Sequence, residues 1–470
     1  MRIHGASRIT NPMKVLLMQP LKGFVREPPN IPDIGLGYIA TSLKKNGHLV
    51  HILDWNMKLT VQDFKEWLKE IQPDVIGIKI FTKDVGAAKK TISIIREAWP
   101  NGIIVIGGPH PSAVDPEELM EDFKKCDFAI KGEAELGLPS LVSAVARSWR
   151  NSKKDSITEE MLVKVPGLVW RNKERVFSNQ IPFVYDLDNI DFPCWGMLDP
   201  NNYDVNMLGS AIKEGNVAPI ITTRGCPGRC NFCSAFNVNG RRIRTRSPEN
   251  VLKEILLLHD NYNVKKFIFQ DNCFTSNREN LIKLCELFLK EKMEIEWDCN
   301  SYERLDRLTG ETLSLMYRAG CRMIHMGIES GSPVTRKVMN KSGSLEEITE
   351  KVRVIQESGI KVCAWFMIGF PEETKEEMNK TISYAFSLGA SLVMFSICFP
   401  LPGTQVYSYI KEKYKFDRID WANFDIYTSQ YPVSNLSSIE LTRLLKGIRL
   451  RILIAKKFGR FISILKKKRR

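Results

Sequence analysis

From Lys14 to about Arg150, and again from Val217 to about Tyr414, the chain alternates short β-type apolar runs with segments of helical period. Strands that alternate with helices pair in parallel, because each return to the sheet needs the length of a helix. In the first series the β-type runs are Val15 to Gln19, His48 to Leu53, Val75 to Phe81, Ile103 to Gly107 and Phe128 to Lys131. They predict an α/β, doubly wound Rossmann-like sheet, and ligands on such sheets bind beyond the strand carboxyl ends. In the second series the runs are Ala218 to Thr223, Lys266 to Gln270, Glu294 to Cys299, Met323 to Ile328, Lys361 to Ile368 and Ser391 to Cys398.

The first run of the second series leads through Arg224 and Gly225 into Cys226-Pro227-Gly228-Arg229-Cys230-Asn231-Phe232-Cys233. Three thiolates on one short loop can hold three corners of a cubane iron–sulfur cluster, and no fourth cysteine lies close enough in sequence to close the site. One iron is left open to a small molecule. Zinc sites usually offer four ligands as two short pairs, and three core cysteines would rarely share a Gly/Pro loop at a strand end. The spacing C-x3-C-x2-C, with an aromatic residue before the last cysteine, resembles the signature of radical S-adenosylmethionine (radical SAM) enzymes.

That resemblance implies that Cys226, Cys230 and Cys233 ligate a [4Fe–4S] cluster whose free iron takes the amino and carboxylate groups of SAM. Reductive cleavage of the sulfonium would then yield a 5′-deoxyadenosyl radical. The six later strands would form a partial (β/α)6 TIM-type barrel, with its active groups at the strand carboxyl ends. Phe232 would lie near adenine. Asp271 and Asn272 match a polar turn that orients the SAM amine, although the relatives' Gly-Gly-Glu form is absent. Arg304, in Glu303-Arg304-Leu305-Asp306, would pair with the SAM carboxylate in a forked geometry. Gly327-Ile328-Glu329-Ser330 matches the family's G-I-E-S, with Glu329 and Ser330 as polar SAM contacts, and Gly369 would let backbone approach the adenosine. Tyr203, Tyr302 and His325 are pocket candidates by position alone, with core packing the stronger reading for each.

The first half lacks a G-x-G-x-x-G nucleotide fingerprint. It carries Asp33-Ile34-Gly35 before its first helix, Phe81-Thr82-Lys83 after its third strand and Gly107-Gly108 after its fourth. Ahead of a radical SAM motif, these landmarks resemble the cobalamin-binding domain of B12-dependent radical SAM enzymes. The resemblance places Thr82, Gly107 and Gly108 along a groove for the corrin's nucleotide tail, where small residues permit close approach. Domains that supply a histidine to cobalt carry D-x-H-x-x-G. Here Pro32 stands in the histidine place, so a bound cobalamin would lack that lower imidazole.

The net charge of +14 is unevenly distributed. Leu441 to Arg470 holds twelve Lys/Arg and no Asp/Glu, which leaves 56 basic against 54 acidic residues elsewhere. That tail interleaves apolar residues with its charges, as in an amphipathic helix on an anionic membrane surface, or a helix packed on the barrel with a solvated end. Its charges interrupt every apolar stretch short of a membrane span. It has no Tyr or Trp, and nucleic acid is disfavoured for want of stacking platforms. Only one closely spaced set occurs among the eleven cysteines, which suits a reducing cytoplasm. Residues 1–12 lack the apolar core of a signal peptide.

The sequence therefore predicts a flexible leader (1–12), a cobalamin-binding Rossmann-like domain (13–150), a linker with a hairpin (151–215), a radical SAM barrel (216–415) and a helical C-terminal region with a basic amphipathic tail (416–470). The resemblance implies an enzyme using a [4Fe–4S] cluster, SAM and cobalamin, reduced by a donor such as flavodoxin or ferredoxin. Hydrogen abstraction from an unactivated carbon and methyl transfer to a hydrophobic or lipid-like substrate is the preferred reading. A radical cyclase or ring-rearrangement enzyme and a non-catalytic cobalamin-binding regulator are the alternatives. A tRNA methylthiotransferase would need a second cluster, and the first half has only Cys126. The expected location is the cytoplasm, with peripheral contact at the inner membrane face through the tail.

Overall fold

The computed structural model describes residues 12–24, 31–54, 59–149, 157–203, 216–299, 308–415, 419, 421 and 434–467; for Lys22 and residues 455–467 it describes the backbone alone. The leader other than Pro12, together with Tyr302, Arg304 and the end of the basic tail, lies outside the described residues.

The N-terminal unit runs β1 (Lys14–Met18), α1 (Ile34–Lys45), β2 (Leu49–Leu53), α2 (Val61–Ile71), β3 (Val75–Lys79), α3 (Val85–Ala98), β4 (Ile103–Gly107), α4 (Pro109–Ala113), α5 (Pro116–Asp122), β5 (Phe128–Ile130) and α6 (Ala134–Trp149). After α7 (Glu159–Leu162) come β6 (Leu168–Asn172) and β7 (Arg175–Ser178). The sheet order is β2-β1-β3-β4-β5-β6-β7, with the first five strands parallel. β1, β3 and β4 are nearly all buried, as expected of strands covered on both faces by helices. A separate apolar cluster forms on each face.

The hairpin assigned by sequence to the linker belongs instead to this sheet. Trp170 pairs opposite Phe128 in an antiparallel ladder, and Leu168, Val169 and Trp170 are buried. Joining the sheet covers the edge that β5 would otherwise expose.

The second unit begins with β8 (Val217–Ile220), β9 (Thr223–Arg224), α8 (Phe236–Asn239) and β10 (Arg244–Thr245). It continues through α9 (Pro248–Tyr262), β11 (Lys266–Phe269), α10 (Arg278–Lys290), β12 (Glu296–Cys299), α11 (Gly310–Arg318), β13 (Cys321–Glu329) and α12 (Pro333–Val338). It is completed by α13 (Leu345–Glu357), β14 (Lys361–Ile368), α14 (Lys375–Ser387), β15 (Leu392–Ile397), α15 (Gln405–Tyr414) and α16 (Ser438–Lys467). Six parallel strands lie in the order β15-β14-β13-β12-β11-β8. β8 and β15 are the two edges, so this is the open, partial barrel expected. Capping boxes, Ser344 with Glu347 and Thr374 with Glu377, start α13 and α14 by satisfying amides that the helix leaves unpaired.

α16 is divided in its packing. Leu441, Leu445 and Ile448 are buried in the barrel core, and Leu441 closes over Gly369. Leu450, Leu453 and Ile454 are exposed. No helix among the described residues is long and apolar enough to cross a membrane.

Segments between the two units seat them together. Trp195 is buried and its indole N–H donates to Glu254 at 3.0 Å, while the Cys194 amide donates to the Gly37 carbonyl at 3.1 Å. On another side, the Tyr407 hydroxyl donates to Glu118 at 3.1 Å and its ring stacks on Trp421, whose edge meets His110. As a result, the carboxyl ends of both sheets open onto one cavity. Leu441→Ala should lower unfolding free energy by about 2–5 kcal/mol through loss of a fully buried side chain, whereas exposed Leu453→Ala should change it by about 0.5 kcal/mol or less; urea unfolding measures both.

Candidate active site

The cysteine loop leaves the barrel at the carboxyl end of β8. Gly225 turns the chain with φ +91°, and a Cβ there would lie 2.1 Å from the Arg242 carbonyl oxygen, so only glycine can precede Cys226. The Cys226 amide donates to the Gly240 carbonyl at 3.2 Å. Asn231 donates from its amide to Met339 and from its side chain to Val338, while Asn340 donates to Arg229 at 2.9 Å. The segment after β13 thus holds the loop from outside.

The three thiols are half-buried. Those of Cys226 and Cys230 flank Gly228, 3.3 and 3.9 Å from where its Cβ would stand. Burial pushes the Cys230 and Cys233 thiols up; Lys341 opposes this at both. Among the described residues, no three His, Cys, Asp or Glu groups converge on a point that would hold one metal ion. A four-iron cube asks for something different, since it gives each thiolate its own iron, and the donor set of three thiols on one loop fits that demand.

Asp271, beyond β11, is buried. Its Oδ1 accepts from the Thr222 amide at 2.7 Å and hydroxyl at 3.1 Å, and from the Thr223 amide. Burial pushes its carboxyl up to about 6. This carboxylate pins the exit of β8, leaving only Oδ2 without a hydrogen-bond partner. Asn272 beside it is half-buried.

Glu329 ends β13 with φ +70°. Burial pushes its carboxyl up, and Lys341 and Arg336 oppose that; Lys341 Nζ stands 4.0 Å away. Lys341 therefore places a cation beside Glu329 whose charge is also felt at the Cys230 and Cys233 thiols. Sequence reasoning missed it, because a lysine after a short helix carries no motif of its own. Ser330 is buried and its hydroxyl bonds Thr381 at 2.9 Å and accepts from the Ser332 amide at 3.0 Å, so its side chain belongs to the barrel wall.

Gly369 is held by a second residue that the sequence did not single out. Glu373 accepts from the Gly369 and Phe370 amides at 2.7 and 3.1 Å, and burial pushes its carboxyl up to about 7. Phe232 meets Phe370 edge-on, with ring centroids 6.3 Å apart. His325 is buried and accepts from the Trp365 indole at 3.2 Å, and burial pushes it down to about 4. Tyr203 is buried and donates to Asp54. Core packing is the reading these two geometries support.

The cavity between the sheets has a volume of about 340 Å³, within the range of small-molecule sites. Leu17, Gly77 and Leu138 line its depth, Gly107 and Gly108 one wall, and Ile221, Arg224 and Gln270 the barrel side. Gly108 has φ +97°, and a Cβ on it would come within 3.1 Å of the Ile80 backbone. Thr82 is not part of this lining; it is buried and bonded to His110 at 3.3 Å. Pro32 is buried. Asp33 next to it caps α1 and takes Lys79 Nζ at 2.7 Å and Gln19 at 2.8 Å. A deep apolar slot of about 340 Å³ with glycine walls at strand carboxyl ends fits a nucleotide-like tail of a larger ligand seated at its mouth.

Fold and site together define an enzyme with a corrin-type cavity opposed to a three-cysteine barrel mouth. The family model described as the B12 binding domain matches residues 28–142, and that of the radical SAM superfamily matches residues 220–385. An uncharacterized methyltransferase of Pyrococcus horikoshii is 27% identical over 92% of this chain and 91% of its own length. An anaerobic magnesium-protoporphyrin IX monomethyl ester cyclase of Cereibacter sphaeroides is 28% identical over 89% of this chain and 66% of its own. The radical SAM methyltransferase TsrM of Kitasatospora setae, solved with cobalamin and a [4Fe–4S] cluster, superposes with a TM-score of 0.66 at 20% identity, covering 87% of this chain and 80% of that one; at that identity the likeness concerns the fold. The chain carries a B12-binding domain followed by a radical SAM domain, and its cofactors are a [4Fe–4S] cluster, SAM and cobalamin.

Asp271→Ala would leave the buried Thr222 and Thr223 amides unpaired, at a cost of about 1–3 kcal/mol. The expected outcome is a lower melting temperature and less iron per chain after reconstitution, read by thermal unfolding and iron assay.

Proposed function

We propose that this protein is a C-methyltransferase acting on an unactivated carbon of a hydrophobic or lipid-like substrate. When bound, the cluster, SAM and cobalamin supply an electron, a hydrogen-abstracting radical and a methyl group. The observation that carries the reading is the single cavity walled by Gly107 and Gly108 on one side and by Ile221, Arg224 and Gln270 on the other, which brings both cofactor domains to one place.

In this reading Cys226, Cys230 and Cys233 hold the cluster. Asn272 and Glu329 face the SAM amine, with Asp271 fixing the turn. Lys341 provides a positive charge for the SAM carboxylate from beside Glu329, with Arg304 as the second candidate. Phe232 and the backbone at Gly369 border the adenosine, while Gly107 and Gly108 admit the corrin's tail, with Thr82 behind them. A small one-electron carrier such as flavodoxin or ferredoxin delivers the electron. In this reading residues 13–150 form the cobalamin domain, joined by the β6–β7 hairpin that pairs with its sheet, and residues 216–415 form the barrel.

Anaerobic reconstitution with SAM and hydroxocobalamin tests the reading through iron content, corrin absorbance and 5′-deoxyadenosine. The wild type should cleave SAM under a strong reductant and Cys230→Ala should not; SAM cleavage by that variant would sink the assignment. A protein that binds corrin and never cleaves SAM would be a regulator. The cyclase named among the relatives, alike over 89% of this chain, supports radical ring closure as the second reading. Isotope from methyl-labelled SAM should appear in the product of a methyltransferase and be absent from that of a cyclase.

The C-terminal tail supports peripheral contact with an anionic membrane. Truncation at the start of α16, after Ser438, would remove the core residues Leu441, Leu445 and Ile448. Truncation after Ile454 spares them and removes eight Lys/Arg. It should abolish flotation with anionic vesicles and leave thermal unfolding nearly unchanged; equal flotation would remove the tail's membrane role.

A further inference from the structure

Arg224 and Arg244 are partners in the antiparallel β9–β10 bridge, and both are buried. Glu133 spans them: it accepts from Arg244 at 2.5 and 2.8 Å, and its Oε2 stands 3.4 Å from Arg224 Nη1. Glu135 takes Arg224 Nη2 at 2.7 Å. Glu133 comes from the turn between β5 and α6 and Glu135 from the first turn of α6, both in the cobalamin domain. Arg224 comes from the barrel, and only Gly225 separates it from Cys226.

Each of these groups except Arg244 also lines the cavity, as does Tyr38, whose ring lies 5.1 Å from the Arg224 guanidinium. The far end of the cysteine loop is seated in the same way, since Val238 and Asn239 of α8 line the cavity too. The strand that launches the cluster loop and the helix that receives it are therefore both walls of the corrin cavity. Three buried charges, Arg224, Arg244 and Glu133, and the half-buried Glu135 hold their places only while the set is complete and well aligned, so displacement at one wall is felt at the other.

We infer that Arg224 is a positioning residue that couples the two cofactor sites: through its pair with Glu135, cobalamin in the cavity and the cluster on the cysteine loop each tighten binding of the other. The inference rests on the cofactor reading above and adds an energetic link to it. Coupling of binding free energies is reciprocal, so both directions are measurable.

The test titrates hydroxocobalamin into the full chain, with and without reconstituted cluster, following corrin absorbance. In the wild type the dissociation constant should fall at least about 5-fold when the cluster is present, and bound cobalamin should slow iron removal by a chelator. Glu135→Gln keeps the side-chain shape, and the Ser42 hydroxyl bonds only its main-chain carbonyl; because Glu135 lines the cavity, the readout is the ratio of the corrin dissociation constants without and with the cluster, which should fall towards one in this variant whatever its corrin affinity alone. Arg224→Lys keeps a charge without the fork and should show intermediate coupling, so the test survives if one variant fails to fold. Undiminished coupling in either variant, or no coupling in a wild type that binds both cofactors, would overturn the inference alone. A wild type that binds no corrin in either form would overturn the cobalamin reading and the inference with it.

Discussion

Arg224 and Arg244 lie buried side by side because the Glu133 carboxylate stands between them, and this contact across the domain boundary sets how the two parallel sheets meet. Buried charges of one sign repel strongly in a medium that screens poorly, so the pair exists only with its partner from the other domain in place. Breaking such a set by removing one member costs about 3–5 kcal/mol. With the sheets held at this angle, the carboxyl end of each faces the other, and the cavity arises between them. Ligand sites on either sheet alone would open to solvent; here each domain roofs the other.

Around the mouth, the polar residues divide by what they are already bonded to. Asp271 and Glu373 each spend one carboxylate oxygen on the amides of the turns after β8 and β14, and Ser330 spends its hydroxyl on Thr381 and Ser332. These residues give the mouth its shape. Glu329, Lys341 and the three thiols form the remaining charged group, mutually close and partly desolvated. Electrostatic interactions strengthen in such surroundings, which is where a charged cofactor is best held.

Most of the architecture was legible because parallel strands buried on both faces must be apolar throughout, and all eleven expected parallel strands appear within a few residues of their predicted bounds. The cysteine loop was legible because its spacing is local. Less so were features that depend on what packs where. The β6–β7 hairpin reads as a free-standing unit until β5 offers it an edge, and α16 reads as one amphipathic helix, although its first turns are core and its middle is exposed. Thr82 has the right place in the chain for the groove, yet bonds His110 behind it. Lys341 reaches the thiols only because the segment after α12 folds back over the cysteine loop.

The sequence by itself determined the strand–helix order, the three-thiol loop at a strand exit and the glycine pair after β4, since each depends on neighbours a few residues away. Tertiary structure alone decided that the two carboxyl edges share one cavity and that Arg224 is wall to one cofactor site and anchor to the other. It also decided that Asp271, Ser330 and Glu373 serve the backbone. Those outcomes follow from pairings between residues far apart in the chain, such as Arg224 with Glu133 and Glu135, and a buried charge finds its partner only when the folded chain brings the two together.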